Sequence, residues 1–187
     1  MKMVEIRTLQ PEEVSSAVEL KVRCWQEELA GKVEHALSFE DELGFFTAWA
    51  QSEKEHEDRR ILLGAFLNGQ LLGAAFGSFA EETDAENAME LNGLWVEEDH
   101  RGKGISLMLL RNLIREYRTL GRDKMVVYNH HFAPSNPYYR KLHGEVIRQE
   151  KQLDGQLLVD VFLHPLDLLD RKLSEMLMKH EEGFPKL

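Results

Sequence analysis

The chain has 187 residues, 43% hydrophobic and 30% charged, which is long enough for one domain with a substantial core and too apolar for a disordered chain. A formal net charge of −10 argues against nucleic acid or an anionic membrane as partner and is compatible with a cationic ligand such as an amine. No run approaches ~18 apolar residues, the amino terminus MKMVEIRTLQPEE has no signal-peptide pattern, and the single Cys24 excludes an internal disulfide or a multi-cysteine zinc site, so a cytoplasmic protein is expected.

The alternating stretch Met3–Thr8 predicts a first strand. Pro11 followed by Glu12 and Glu13 opens a helix that runs to about Ala30, with Gly31 as its stop. Ser38 caps a second helix carrying Phe39, Leu43, Phe46 and Trp49 on its apolar side, and 51–60 follows as a solvated, charge-dense connection. Trp25 and Trp49 read first as core residues; the alternative is that the open faces of these helices border a substrate pocket. Ile61–Phe66 and Leu71–Phe79 form a hairpin around Asn68-Gly69, because both turn residues tolerate positive φ. An acidic loop, Ala80–Ala88, leads to a strand at Met89–Val96. A helix from the glycine turn after it ends at Gly121, and Met125–Asn129 is the fifth strand. A proline-bearing loop enters a short helix, Tyr138–His143; 145–152 and 157–163 then form a hairpin around Asp154-Gly155. From Pro165 to about Glu181 apolar residues keep helical spacing, as an amphipathic terminal helix. The result is a single domain of the α+β class, with a mixed, mostly antiparallel sheet of about seven strands and helices on both faces.

The stretch 91–121, LNGLWVEEDHRGKGISLMLLRNLIREYRTLG, organises the rest. A strand, a glycine-punctuated turn and a helix in that order make an anion site, since first-turn amides lack intrahelical partners and lie at the positive end of the dipole. Gly102 and Gly104 permit close backbone approach, and Arg101 and Lys103 add charge for a phosphate. A P-loop would need glycine at 97 and Ser or Thr at 104, where Glu97 and Gly104 stand. A dinucleotide fingerprint from Gly102 would need glycine at 107, where there is Leu107. What the turn does resemble is the pyrophosphate loop of the GNAT superfamily of acetyl-CoA-dependent N-acetyltransferases, Gln/Arg-x-x-Gly-x-Gly/Ala. Arg101 and Gly104 match its first two fixed positions, and Ser106 replaces the usual Gly or Ala.

The resemblance extends from residue 4 to about 164, leaving the terminal helix (165–181) outside it. VEIRTLQPEEV and LKVRCWQEELAGKV are similar to the first strand and helix of many bacterial members, and LWVEEDHRGKGISLMLL to the acetyl-CoA segment, with Glu98 in place of a frequent proline. NPYYRKLHGEVI is similar to the later tyrosine-bearing segment. The resemblance implies the GNAT-like fold and acetyl-CoA as co-substrate, with no metal. It implies that the fourth and fifth strands splay, with the pantetheine arm lying against Leu94, Trp95 and Val96 and the pyrophosphate among the amides of Gly102, Lys103, Gly104, Ile105 and Ser106. Asn129 or Asn136 would hydrogen-bond the arm. A strand irregularity is expected near Gly93, exposing an amide toward the thioester carbonyl.

A protonated alkylamine, with a pKa near ~10.4, must lose a proton before it attacks. Counting by two from Val96 and Leu94 puts Asn92 and Glu90 on one face, and Glu90 occupies the position where some relatives carry their base. Tyr139 fits the family's position for the acid that protonates the departing thiolate; Tyr138 points about 100° away and is expected to pack. Trp25 and Glu28, with Asn92, are the candidate acceptor-binding residues, although Glu27 and Glu28 also suit a solvated helix face. His130-His131 lacks a third ligand at metal spacing and reads as solvated or hydrogen-bonded loop histidines, and Cys24 as a small core residue. Two functions are therefore carried forward: transfer of acetyl to a primary amine, on a small molecule or on a peptide or protein, and a silent CoA-binding module. The terminal helix packs either on its own chain or on a second copy, as a homodimer.

Overall fold

The structure, a computed structural model, describes the main chain of residues 4–32 and 37–183, with side chains to residue 180. The predicted strand start at Met3 lies outside the described residues. In chain order the elements are β1 (Glu5–Thr8), α1 (Val14–Leu29), α2 (Phe39–Gln51), β2 (Ile61–Leu67), β3 (Gln70–Phe79), β4 (Ala88–Val96), α3 (Ile105–Thr119), β5 (Lys124–His130), α4 (Asn136–Lys141), β6 (Glu145–Gln152), β7 (Leu157–Pro165) and α5 (Leu166–Gly183). Local chemistry sets many of these limits. Glu13 accepts the Gln10 amide at 2.8 Å in a capping box that starts the turn before α1. Ser38 Oγ accepts the Asp41 amide at 3.3 Å at the head of α2. Asn68 (φ 54°) and Gly69 (φ 79°) close the β2–β3 hairpin with both residues at positive φ, as the Asn-Gly pair implied.

The strands form one sheet in the order β1-β2-β3-β4-β5-β7-β6, antiparallel throughout except for the parallel β4–β5 pair at its centre. One face carries α1 and α2, whose Val18, Leu20 and Phe46 pack on Phe66, Ala74, Phe76 and Trp95. The opposite face carries α3, α4 and α5, where Leu109, Leu113, Tyr117, Tyr139 and Leu169 pack on Ala75, Met89, Met125, Val127 and Phe162. Gly73 and Gly77 bring α3 onto the sheet: a Cβ at Gly73 would lie 3.1 Å from Leu109 Cδ1 and 2.9 Å from the Trp95 carbonyl, and one at Gly77 would lie 2.8 Å from the Tyr117 ring. The terminal helix packs on its own chain: Leu166, Leu169 and Leu173 are buried, while Asp170 receives Arg111, Arg115 and Arg118 of α3.

Two expectations change in detail. The connection after α2 is not merely solvated: Asp58 and Arg60 form an ion pair with side chains 12% and 7% exposed, and Asp58 accepts the Phe79 amide at 2.7 Å. The short helix before β6 starts at Asn136 rather than Tyr138, because Pro137 fits its first turn. Among the described residues no helix is long and apolar enough to cross a membrane.

Candidate active site

β4 and β5 pair only from Ala88↔Lys124 to Leu91↔Val127. Beyond that point β4 runs on to Val96 and β5 to His130 without pairing with each other. The separation starts where β4 is irregular against β3: Phe76 faces Gly93 and Gly77 faces Leu91, leaving Asn92 as the extra residue of a bulge. This is the irregularity expected near Gly93. Glycine is required beside it, since a Cβ at Gly93 would lie 2.0 Å from the Trp95 indole. That indole is wedged edge-on against Phe76 at 5.2 Å and Phe46 at 6.4 Å.

The bulge also corrects the count by two. Leu94 and Val96 pack with the α3-side core, and so do Leu91 and Met89 across the bulge. Glu90 therefore points to the α1 face, opposite Leu94 and Val96. It lies in the same region as Tyr128, with Asp84, Glu81, Asp58 and Glu150 also near, and burial followed by those carboxylates raises its pKa to about 7.

A cavity of about 640 Å³ fills the split. Its walls come from both faces: Leu94, Val96, Val127 and Asn129 with Tyr138 and Tyr139, and on the α1 side Trp25, Glu28, Gly93, Trp95, Tyr128 and His130. Asn92 is in the wall, and its Oδ1 is buried without a hydrogen-bond partner among the described residues. The gap is thus walled by residues from both faces of the sheet.

At one end lies the glycine turn. Gly102 (φ 73°) and Gly104 (φ 81°) adopt left-handed backbone, and Gly104 starts α3 with no side chain capping its first amides. Arg101, Gly102, Ile105 and Ser106 line the cavity. Gly104 and Lys103 do not: Gly104 backs onto His180 and Leu177 of α5, and Lys103 Nζ donates to the Asp99 carbonyl at 2.7 Å. Arg101 is tied inward, donating to Val96 O at 3.0 Å and to Glu27 at 2.9 Å, with Cys24 Sγ at 3.5 Å. Charge for an anion here comes from backbone dipoles more than from the two side chains.

The two tyrosines of α4 both reach the cavity. Tyr139 is buried against Phe162 and His164, and burial pushes its pKa far above the ordinary tyrosine value, so the hydroxyl stays protonated as a donor. Its hydroxyl has no protein hydrogen-bond partner among the described residues. Tyr138 is not only packing: its buried hydroxyl stands near Ser106 without a hydrogen bond of full geometry, and burial pushes its pKa up to about 12. Adjacency on the helix does not keep it out of the cavity, whose wall includes both side chains.

The two asparagines separate. Asn129 lines the cavity and donates to Ser135 Oγ at 3.0 Å and Asn136 Oδ1 at 2.7 Å. Asn136 is buried behind it and donates to the carbonyls of His130 and His131, fixing the end of β5. His131 is hydrogen-bonded, to Asp160 at 3.0 Å. His130 is neither solvated nor in a loop; it is the last residue of β5 and is buried at 7% exposure. Sequence reasoning missed its placement because the strand was expected to end at Asn129. Cys24 is buried in the wall beside Arg101, and burial raises its thiol pKa, so it is no thiolate nucleophile.

The profile of the acetyltransferase (GNAT) family matches residues 16–144, more than half of the chain. Among solved structures, an N-acetyltransferase from Staphylococcus aureus Mu50 is similar at 17% identity, covering 88% of this chain and 99% of that one with a TM-score of 0.67. The paiA N-acetyltransferase from Thermoplasma acidophilum, in complex with coenzyme A, is similar at 18% identity, 87% and 99% coverage and a TM-score of 0.62. The yncA protein from Salmonella typhimurium, solved with its cofactor acetyl-CoA, gives 22% identity, 88% and 95% coverage and a TM-score of 0.66. A comparison with curated proteins returns no match. At these identities the solved structures speak for the fold, and the family profile spans the bulge, the split strands and the glycine turn: the chain belongs to the acetyltransferase (GNAT) family.

Proposed function

We propose that this chain moves an acetyl group from acetyl-CoA to a primary amine by direct transfer, with both substrates bound at once across the sheet. The observation that carries this reading is the end of β4–β5 pairing at Leu91↔Val127, which leaves a cavity lined by residues of both faces. The fit to acetyl-CoA rests on three features of that cavity. The first turn of α3 has no side-chain cap to compete with a diphosphate, the β4 edge from Asn92 to Val96 is unpaired toward β5, and Asn92 Oδ1 is a buried acceptor without a donor among the described residues. Backbone groups of Leu94 and Val96 would pair with the pantetheine arm as an added strand does, with the Asn129 amide beside them. Bound acetyl-CoA supplies an acyl carbon activated as a thioester.

The chain's own residues then have separate tasks. The amide exposed at the Asn92 bulge donates toward the acyl oxygen as negative charge develops there. Tyr139, protonated at all working pH values, donates its proton toward the departing sulfur. Glu90, with its pKa raised to about 7, takes up a proton released by the nitrogen as the N–C bond forms, through an intervening water because it is not in the cavity wall. Trp25 and Glu28 receive the acceptor on the α1 side.

The test is release of free thiol from acetyl-CoA over a panel of alkylamines, polyamines, amino acids and aminoglycosides, with the acetylated product identified by mass. Acetylated amine with stoichiometric thiol is expected. CoA binding without product from any amine would instead assign a catalytically silent CoA-binding module.

A further inference from the structure

We propose that His130 is a further catalytic residue, the group that takes the proton from the acceptor amine by direct contact, with Glu28 holding the ammonium against it; this rests on the amine-acetylation reading above. His130 closes the α1-side wall of the cavity at the end of β5 and is 7% exposed. Its Nδ1 is buried and has no hydrogen-bond partner among the described residues, although almost every buried polar atom in a folded protein has one. The ring is held by contacts rather than by hydrogen bonds at that atom. Trp25 meets it edge-on at 5.1 Å, Phe132 tilts against it at 5.7 Å, and Asn136 fixes its carbonyl at 2.9 Å. The ring lines the cavity, and its orphaned Nδ1, closed to solvent beside Glu28, would gain a partner from a ligand nitrogen that entered between the two side chains.

Glu28 Oε2 lies 3.8 Å from that nitrogen, beyond hydrogen-bond length and within ion-pair range. Its neighbour Glu27 is neutralised by Arg101, whereas Glu28 has no arginine or lysine at ion-pair distance among the described residues. A primary ammonium entering from the α1 side would place one N–H on Glu28 and another on Nδ1, with the Trp25 ring beside it. The charged groups around His130 are Glu28 and, past the end of α1, Lys32, which lies over the Phe132 ring at 4.8 Å. Burial and then Lys32 lower the His130 pKa, so the free imidazole is neutral near pH 7 and ready to accept.

The step balances. One N–H bond of the ammonium breaks, its proton passes to Nδ1, and its electron pair becomes the lone pair of the free amine. That pair forms the N–C bond to the acyl carbon as the C–S bond breaks, and sulfur leaves with the bonding pair to receive the Tyr139 proton. The nitrogen's second proton, released once the N–C bond has formed, passes through water to the Glu90 carboxylate, and the His130 imidazolium gives its own proton to solvent before the next turnover. The imidazolium formed meanwhile faces the Glu28 carboxylate.

The experiment compares pH–rate profiles of kcat/KM for parent, His130→Gln and Glu90→Gln with the best amine of the panel. His130→Gln is expected to lose about 10²-fold in turnover, to lose the acid limb of the profile, and to regain rate with added imidazole, while binding CoA as the parent does. Glu90→Gln should keep that limb at reduced rate. A His130→Gln enzyme within about 3-fold of the parent with the same limb, or a limb lost only in Glu90→Gln, overturns the assignment. A second measurement separates this from failure of acetyl transfer itself. The His130 Cε1–H resonance, titrated with 1,4-diaminobutane in the presence of CoA, should move and titrate at lower pH, whether or not any amine turns over. An unmoved resonance overturns the ammonium contact.

Discussion

The Trp95 indole lies over Gly93, so close that a Cβ on Gly93 would sit 2.0 Å from the ring. The same residues border the bulge at Asn92, where β4 leaves β5. Gly93→Ala should therefore expel Trp95 from its seat against Phe46 and Phe76. The expected loss is about 1–3 kcal/mol of stability from overpacking, together with weaker CoA binding because the slot edge shifts. Denaturant midpoints and CoA calorimetry on the one variant check both; an unchanged CoA affinity would separate the ring's packing from the slot.

Tyr139→Phe removes one hydroxyl that has no hydrogen-bond partner among the described residues, so folding should change little. Turnover should fall about 10²-fold or more, with CoA affinity retained, measured by thiol release and calorimetry. Tyr138→Phe is the matched control for a second hydroxyl on the same wall and should lose less.

Glu90 is buried among other carboxylates, and its pKa rises from the ordinary 4.5 to about 7. The unfolded chain releases this proton near pH 4.5 while the folded chain keeps it to about pH 7. The raised pKa thus lowers stability progressively as pH climbs between those two values, after which the loss is constant. Glu90→Gln should match the parent near pH 4.5 and exceed it by about 1–3 kcal/mol at pH 8, read from urea midpoints at the two pH values. Equal stabilities at pH 8 would mean that the carboxyl is not desolvated.

Asp170 of α5 collects three arginines of α3 at 2.9 to 3.4 Å, with its own side chain 16% exposed and theirs 30% to 51%. Shared, half-exposed pairs are individually weak, but one carboxylate here offsets a cluster of like charges. Asp170→Asn should cost about 1 kcal/mol at low salt and less at high salt. A salt-independent loss would place the effect in packing of Leu169 and Leu173 instead.

The element order was legible because each element announces itself locally. Asn68-Gly69 satisfies a turn that needs positive φ at both positions, Ser38 caps the helix that follows it, and the apolar spacing after Gly104 fits one helix face. The glycine turn at an uncapped helix start was equally local, and it carried the family resemblance. Glu90 shows where local counting ends. One unpaired residue at Asn92 reverses the alternation, and nothing in the letters marks a bulge except the glycine that follows it.

Other features were decided only by distant parts of the chain. Arg101 faces Glu27 because α1 packs over the end of β4, which draws the guanidinium away from the turn it was expected to serve. His130 is buried, with no hydrogen bond at Nδ1 among the described residues, because β5 runs on to it against Val159 of β7 and Trp25 packs edge-on against its ring. The sequence alone determined which segments become strands, helices and turns, since those choices depend on neighbours within a few residues. Which side chains share the cavity, and which lone polar atoms it leaves without partners, was settled by tertiary packing, because burial and pairing are properties of surfaces brought together from far along the chain.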